Sequence, residues 1–293
     1  MIYQVNSKID PAILPTPINE TEVSLIRVFN EPKLSTLAKM RLILDLAYPD
    51  PSLDWAVGSA CAVCPPPQAR QSFVDNLLRS FFKRYSVTLF LALVGTPLNK
   101  IDGEPETVGK TGKRKRSAAV HMWYQVSDME TENAFGFAPI KSGVTGRGIV
   151  SIYDTIIYEN PYYARTFEIT HEHYTQLLKY GKSAIAKTNE DFDLNYHGLK
   201  NSCIDFTWKA LNSAGLRPEF IGGEADLIRA RKLMRTFEGE MRIKTNIAHV
   251  KSIRPPFPES NLNVEVYHEK PESSLFEDIF IAENATVSDE SVF

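Results

Sequence analysis

Cysteine is scarce: three in 293 residues. An odd, small number cannot staple a small scaffold, so a disulfide-framed secreted domain is excluded. Cys61 and Cys64 form a single Cys-x-x-Cys with prolines directly behind it, and no second pair completes a zinc site. Long apolar runs are also missing. The longest, residues 87–94, falls far short of the roughly 20 residues that cross a bilayer. Residues 1–13 lack a basic stretch leading into an apolar one, so the expectation is synthesis in the cytoplasm without a signal peptide. There is no excess of positive charge: the net charge is -3 and the pI near 6.1, and no nucleic-acid partner is expected. His171-Glu172-His173 is not the His-Glu-x-x-His zinc pattern, and Gly143, Gly146 and Gly148 lack the spacing of a phosphate-binding loop. Neither a metal nor another cofactor is expected.

What is present is core material, 43% hydrophobic residues, arranged in a readable order. Residues 1–84 read as an N-terminal helical support region. A helix is predicted over 34–46, and an amphipathic one over 69–83 with Phe73, Val74, Leu77, Leu78, Phe81 and Phe82 on one side. Strands are predicted at 86–94, 118–126, near 134–137, at 149–153 and at 165–169. Between the first two lies a polar loop, 98–117, carrying Lys113-Arg114-Lys115-Arg116, which reads as a solvated loop or as a contact for anionic lipid headgroups. Thr170 caps a predicted helix running to Ala186. Residues 223–293 read as an extension: a basic helix at 225–236, a proline-bearing loop at 246–258 and an acidic tail. Strands with helices beside them make the fold class α+β, and one helix stands out.

That helix lies within 196–216. Asn201 and Ser202 are good N-caps, Asp205 completes a capping-box pattern, and Ile204, Thr207, Trp208 and Leu211 recur at helical spacing. Gly215 stops the helix. Cys203 therefore falls in the first turn, where orphan amides and the helix dipole favour an anion, and its thiol pKa is expected to be lowered. A thiolate nucleophile needs a base and an orienting group behind it. Of the six histidines, His171 and His173 start an exposed helix, His197 precedes a turn, and His249 and His268 lie in the less regular tail. His121 sits among apolar and aromatic residues on a predicted central strand, a costly place for an imidazole without a function.

Val120-His121-Met122-Trp123, Phe135-Gly136-Phe137-Ala138-Pro139 and Asn201-Ser202-Cys203-Ile204-Asp205-Phe206, in that order, resemble the circularly permuted papain-like hydrolases. These are the permuted NlpC-type enzymes and the lecithin:retinol acyltransferase-like group. His121 precedes Cys203 by 82 residues, the permuted order, and the resemblance covers residues 85–222. It implies a permuted papain-like fold, an antiparallel sheet packed against the cysteine-bearing helix, with Cys203 as nucleophile, His121 as base and a third polar residue on the neighbouring strand. Asn133 is the nearest match for that residue, with Glu132 and Asp154 as rivals. Helix-start amides at Ser202 and Cys203 would hold the oxyanion, and Trp123 and Tyr124 are candidates for lining an acyl trough. The flavour is that of antibacterial effectors delivered by secretion systems, with an immunity protein as partner and the periplasm of a target cell as destination. The implied substrate is a phospholipid acyl ester. The alternatives are a peptidoglycan amide and an inactive module that only binds.

Overall fold

The computed structural model describes residues 14–48, 68–141, 143, 145–188, 192–219 and 242–271. Cys61, Cys64, the basic helix expected at 225–236 and the acidic tail past 271 lie outside the described residues. The chain divides into two compact units, one of Met1–Arg84 with Glu259–Asn263, the other of Tyr85–Pro258 with Val264–Phe293.

Among its described residues the first unit holds three helices, α1 (Glu20–Asn30), α2 (Thr36–Ala47) and α3 (Gln71–Arg79). The sequence reading finds no element at α1, yet Asn19 caps it, its side chain accepting from the Glu22 amide at 2.9 Å. Leu25, Phe29, Ile43, Phe73, Val74, Leu77 and Phe81 close the core. Glu22 is fully buried, and its carboxylate accepts from Arg70 Nε and Nη2, each at 2.9 Å, and from the amides of Arg70 and Ile18. The Arg70 hydrogen bond, opposed by burial, holds the Glu22 carboxyl down at about 2 against an ordinary 4.5. A depressed pKa stabilises the fold above the unfolded value and stops doing so as pH falls through the folded one. Glu22→Gln is therefore expected to lower stability in urea at pH 7 by about 2 kcal/mol. The gap between variant and wild type should close as pH falls from 4.5 toward 2.

The second unit is built on a seven-stranded sheet in the order β8-β6-β5-β4-β1-β7-β9. In chain order the strands are β1 (Tyr85–Ala92), β4 (His121–Ser127), β5 (Glu132–Pro139), β6 (Thr145–Ser151), β7 (Tyr163–Ile169), β8 (Asn195–His197) and β9 (Val264–Tyr267). Every neighbouring pair is antiparallel. Between β1 and β4, where a polar loop is predicted, β2 (Thr107–Val108) and β3 (Lys113–Arg114) form a small hairpin. The helices are α4 (Asp154–Ile157), α5 (His171–Ala186), α6 (Cys203–Ser213) and α7 (Ile243–Ser252). The molecule is α+β, as its pattern of elements predicts.

Alternation along β1, β4 and β5 sorts the two faces. Val87, Leu89, Leu91, Met122, Tyr124, Val126, Phe135 and Phe137 enter the main core against α5 and α6. Phe90, His121, Trp123 and Gln125 take the opposite, outer face, where Trp123 stacks on Phe90 at 4.9 Å. Two expectations for the C-terminal region need correcting. Residues expected to loop from 246 are helical in α7, because Ile243, Ile247 and Val250 recur at helical spacing ahead of the first proline. Arg165 anchors the end of that helix, donating to the Val250 and Ile253 carbonyls, and Trp208 Nε1 donates to Asn246 Oδ1 at 2.8 Å. Residues 264–267 then join the main sheet as β9 rather than standing apart. No helix among the described residues is long and apolar enough to cross a membrane.

Candidate active site

The capping box fixes the start of α6. Asp205 Oδ2 accepts from the Ser202 amide at 2.7 Å and from its hydroxyl at 2.8 Å, while the Asp205 amide reaches back to Ser202 Oγ. Asn201 Nδ2 donates to the carbonyls of Asp193 and Asn195, pinning the segment that leads in. Cys203 is thus the first helical residue, 3% exposed, with its sulfur 3.9 Å from the Val120 carbonyl oxygen. The next residue along that strand is His121. It opens β4 rather than lying mid-strand as the sequence predicts, because residues 118–120 do not pair in the sheet. A strand end next to a helix tip is where an imidazole on one sheet face can meet a thiol delivered from the other.

Behind the imidazole stands Asp154. Its Oδ2 lies 2.7 Å from His121 Nε2, and both side chains are almost completely buried. Nδ1 is the ring nitrogen that Asp154 leaves open. Trp123 and Tyr158 flank the ring, with centroids 5.4 and 4.7 Å away and near-parallel planes. Trp123 Nε1 donates to Thr155 Oγ1 at 3.1 Å, and that hydroxyl donates to Gln125 Oε1 at 2.9 Å. α4 is thereby tied to the same strand that carries His121. Gly136 makes room for the carboxylate: a Cβ there would lie 1.7 Å from Asp154 Oδ2.

Burial opposes charging of His121, but the charges of Tyr158, Asp154 and Cys203 and the Asp154 hydrogen bond outweigh it, and its pKa is raised well above 6.5. Burial also raises the Tyr158 phenol above its ordinary value. Burial, followed by the charge of Cys203, likewise raises the pKa of Tyr196.

Several residues expected at the site stand elsewhere. Asn133 pairs across from Val126 and Glu132 from Ser127, at the far end of β4 from His121, so neither orients the imidazole. Tyr124 faces the main core and donates to the Leu177 carbonyl at 3.1 Å. Trp123 is fully buried and supports the ring instead of lining a trough. Ser202 spends its amide and hydroxyl on Asp205, which leaves the amides of Cys203 and Ile204 as the unpartnered donors of the first turn. Two of the four cations of the basic run are paired, Arg114 with Glu159 and Lys115 with Glu106 at 2.6 Å, while Arg116 donates to the Gly95 carbonyl. Among the other histidines, His197 accepts from the Leu199 amide, His268 meets the Pro161 carbonyl, and His249 lies against Trp208.

Thr155, Tyr158 and Tyr196 escaped the sequence reading as site residues. Tyr158 follows Asp154 by one helical turn, a spacing that would have suggested a shared face, but a helix of four residues leaves no periodicity to detect. Compared with models of known families, with curated proteins and with solved structures, the chain has no significant match. The chemistry must be argued from the geometry. A thiol at a helix N-terminus, an imidazole on the next strand and a carboxylate on one imidazole nitrogen are the group types that nucleophilic acyl chemistry uses.

Proposed function

We propose that this protein is a cysteine-dependent acyl hydrolase in which Cys203, His121 and Asp154 form the catalytic group. The reading rests on one observation. A buried carboxylate at 154 grips the imidazole at 121 beside a capped thiol at 203, three positions the chain brings together from separate elements. Structural networks also bury histidine–carboxylate pairs, but the helix-tip thiol adds the group that a purely structural pair would lack. The helix-borne cysteine follows the histidine strand, and we assign the fold to the permuted papain-like type on that order.

In the proposed reaction His121 holds the Cys203 proton as the imidazolium of an ion pair, and the thiolate attacks the acyl carbonyl carbon. Negative charge gathers on the carbonyl oxygen, held by the amides of Cys203 and Ile204. The imidazolium then returns its proton to the leaving alcohol, and an acyl thioester remains. Water, deprotonated by the same imidazole, hydrolyses the thioester and restores the thiol. Asp154 remains ionised throughout and stabilises the imidazolium.

The substrate class we favour is a phospholipid acyl ester of the bacterial envelope, with the protein acting as an antibacterial effector in a target cell's periplasm. Support for a lipid comes from the exposed Ile149, which the strand register puts on the His121 face of the sheet. The test is paired. Wild type and Cys203→Ala are incubated with phospholipid vesicles and with purified peptidoglycan. Fatty acid released by wild type and not by Cys203→Ala is the expected result. New peptide or amine ends would replace the lipid reading with an amidase. Absence of both products, with Cys203 alkylated by iodoacetamide no faster than Cys61 or Cys64, would leave a binding module.

A further inference from the structure

The polar excursion between β1 and β4 is tied down at both sides. Its two ends pair with each other: the Ser117 amide donates to the Thr96 carbonyl at 2.8 Å, and the Leu98 amide to the Lys115 carbonyl at 3.0 Å. The other edge of residues 97–99 pairs with the end of α4. The Asn99 amide donates to the Ile157 carbonyl at 2.7 Å and the Glu159 amide to the Pro97 carbonyl at 3.0 Å, with Leu98 opposite Tyr158. Side chains close the same joint. Asn99 Nδ2 donates to the Ile156 carbonyl at 3.2 Å. Arg114 Nη2 donates both to Asn99 Oδ1 and to the Glu159 carboxylate. Arg114, the second cation of the basic run, thus binds this arm to α4. A helix of four residues needs such help, because a single turn forms too few hydrogen bonds to offset its ordering.

What the joint holds is the ring of Tyr158. The Tyr158 amide donates to the Asp154 carbonyl at 2.9 Å, so this residue stands one turn beyond the carboxylate. Its ring centroid lies 4.7 Å from that of His121, with 18° between the planes, and 5.2 Å from that of Trp123. The α4 segment therefore touches the imidazole twice, at an edge through Asp154 and on a face through Tyr158. The two contacts fix different things. The Asp154 hydrogen bond places Nε2. The plane of the ring, and with it the direction of Nδ1, turns about χ2, a broad torsion without a steep preference of its own. A stacked aromatic ring removes that freedom, and its π face favours the protonated imidazole. The titratable groups acting on His121 are Asp154 and Tyr158 of this segment and Cys203 of α6.

We propose that Tyr158 is a positioning residue that sets the plane of the His121 ring, and that the arm of residues 97–116, through Asn99 and Arg114, holds Tyr158 in that place. The inference rests on the acyl-hydrolase reading for its purpose, which is to keep the imidazolium aligned beside the Cys203 thiolate. Its first test needs no substrate. In the full-length chain, alkylation of Cys203 by iodoacetamide is followed by peptide mass mapping across a pH series. Tyr158→Leu keeps bulk and removes the π face. It should slow alkylation roughly tenfold at about pH 6, a gap that closes near about pH 9, where the thiol ionises unaided. Tyr158→Phe keeps the face and should stay within about twofold of wild type. Arg114→Met frees the arm from α4. Alone it should slow alkylation about threefold, and it should add nothing to Tyr158→Leu, because both act through one ring. With the ester as substrate, kcat should fall by similar factors while KM is unchanged. Thermal unfolding shows which variants are folded, and Arg114→Met, at a half-buried side chain, decides the matter if Tyr158→Leu does not fold. An unchanged alkylation profile in the folded variants overturns the inference. Equal slowing in Tyr158→Phe also overturns it, by assigning the effect to the hydroxyl. Additive losses in the double variant overturn it too, since arm and ring would then act apart. If wild type cleaves neither phospholipid nor peptidoglycan yet the profile shifts as expected, the hydrolase reading fails and the positioning stands. If ester is cleaved while the profile ignores Tyr158 and Arg114, the positioning fails alone.

Discussion

Asp154→Asn is expected to cut turnover of the acyl ester by about a thousandfold while leaving the fold intact. The amide is nearly the shape of the carboxylate, so the space above Gly136 stays filled. It carries no charge, and it can present an N–H to the nitrogen it should accept from. Either change weakens the imidazolium on which acylation depends. The pH profile gives a signature that a merely structural residue would not. The alkaline limb reports loss of the proton from His121, and in wild type it should lie well above 6.5 because the pKa of His121 is raised. Removing the negative charge lowers that pKa, so the limb should move toward neutrality in Asp154→Asn. Linkage gives the matching sign for stability. A raised imidazole pKa stabilises the fold below the unfolded value and stops doing so as pH rises through the folded one. The stability difference between wild type and Asp154→Asn should therefore shrink as pH is raised. Asn133→Ala, on β5 opposite the far end of β4, should leave turnover within about twofold, as surface changes away from a site usually do. Full turnover in Asp154→Asn would show that the carboxylate is there for packing only.

Gly136→Ala should come close to the same loss of turnover from a residue with no side chain of its own. The new methyl would fall 1.7 Å from Asp154 Oδ2 and 3.0 Å from Trp123 Cβ. Trp123 is fully buried and cannot retreat. The carboxylate can swing, but only by leaving His121, because the Trp123–Thr155–Gln125 hydrogen bonds hold α4 in place. Overpacking of this kind costs about 2 kcal/mol in stability, and urea unfolding would measure it. The decisive comparison is the double variant. With Asp154→Asn already present, Gly136→Ala should reduce turnover far less than it does alone, since both act through one contact. Additive losses would mean that the methyl disturbs something other than the His121–Asp154 hydrogen bond.

The nucleophile's surroundings were legible because every cue for them is local. Ser202 and Asp205 cap each other three residues apart, and the apolar residues behind Cys203 repeat within two turns. The orienter was not legible. Asp154 lies 33 residues from His121, on a helix of four residues, and only sheet pairing and the bareness of Gly136 put them in contact. Trp123 and Tyr124 are equal candidates in the sequence; the strand's orientation decided that one supports the imidazole and the other fills the main core. The basic run at 113–116 reads as a free patch until Glu106 and Glu159 are brought against it.

What the sequence determined by itself is the α+β class and a capped helix with a thiol in its first turn, because capping, periodicity and alternation act between residues a few positions apart. What the tertiary structure decided is which charges meet. Asp154 reaches His121, and Arg114 and Lys115 find Glu159 and Glu106. Those outcomes depend on distances across the sheet, which no local pattern encodes.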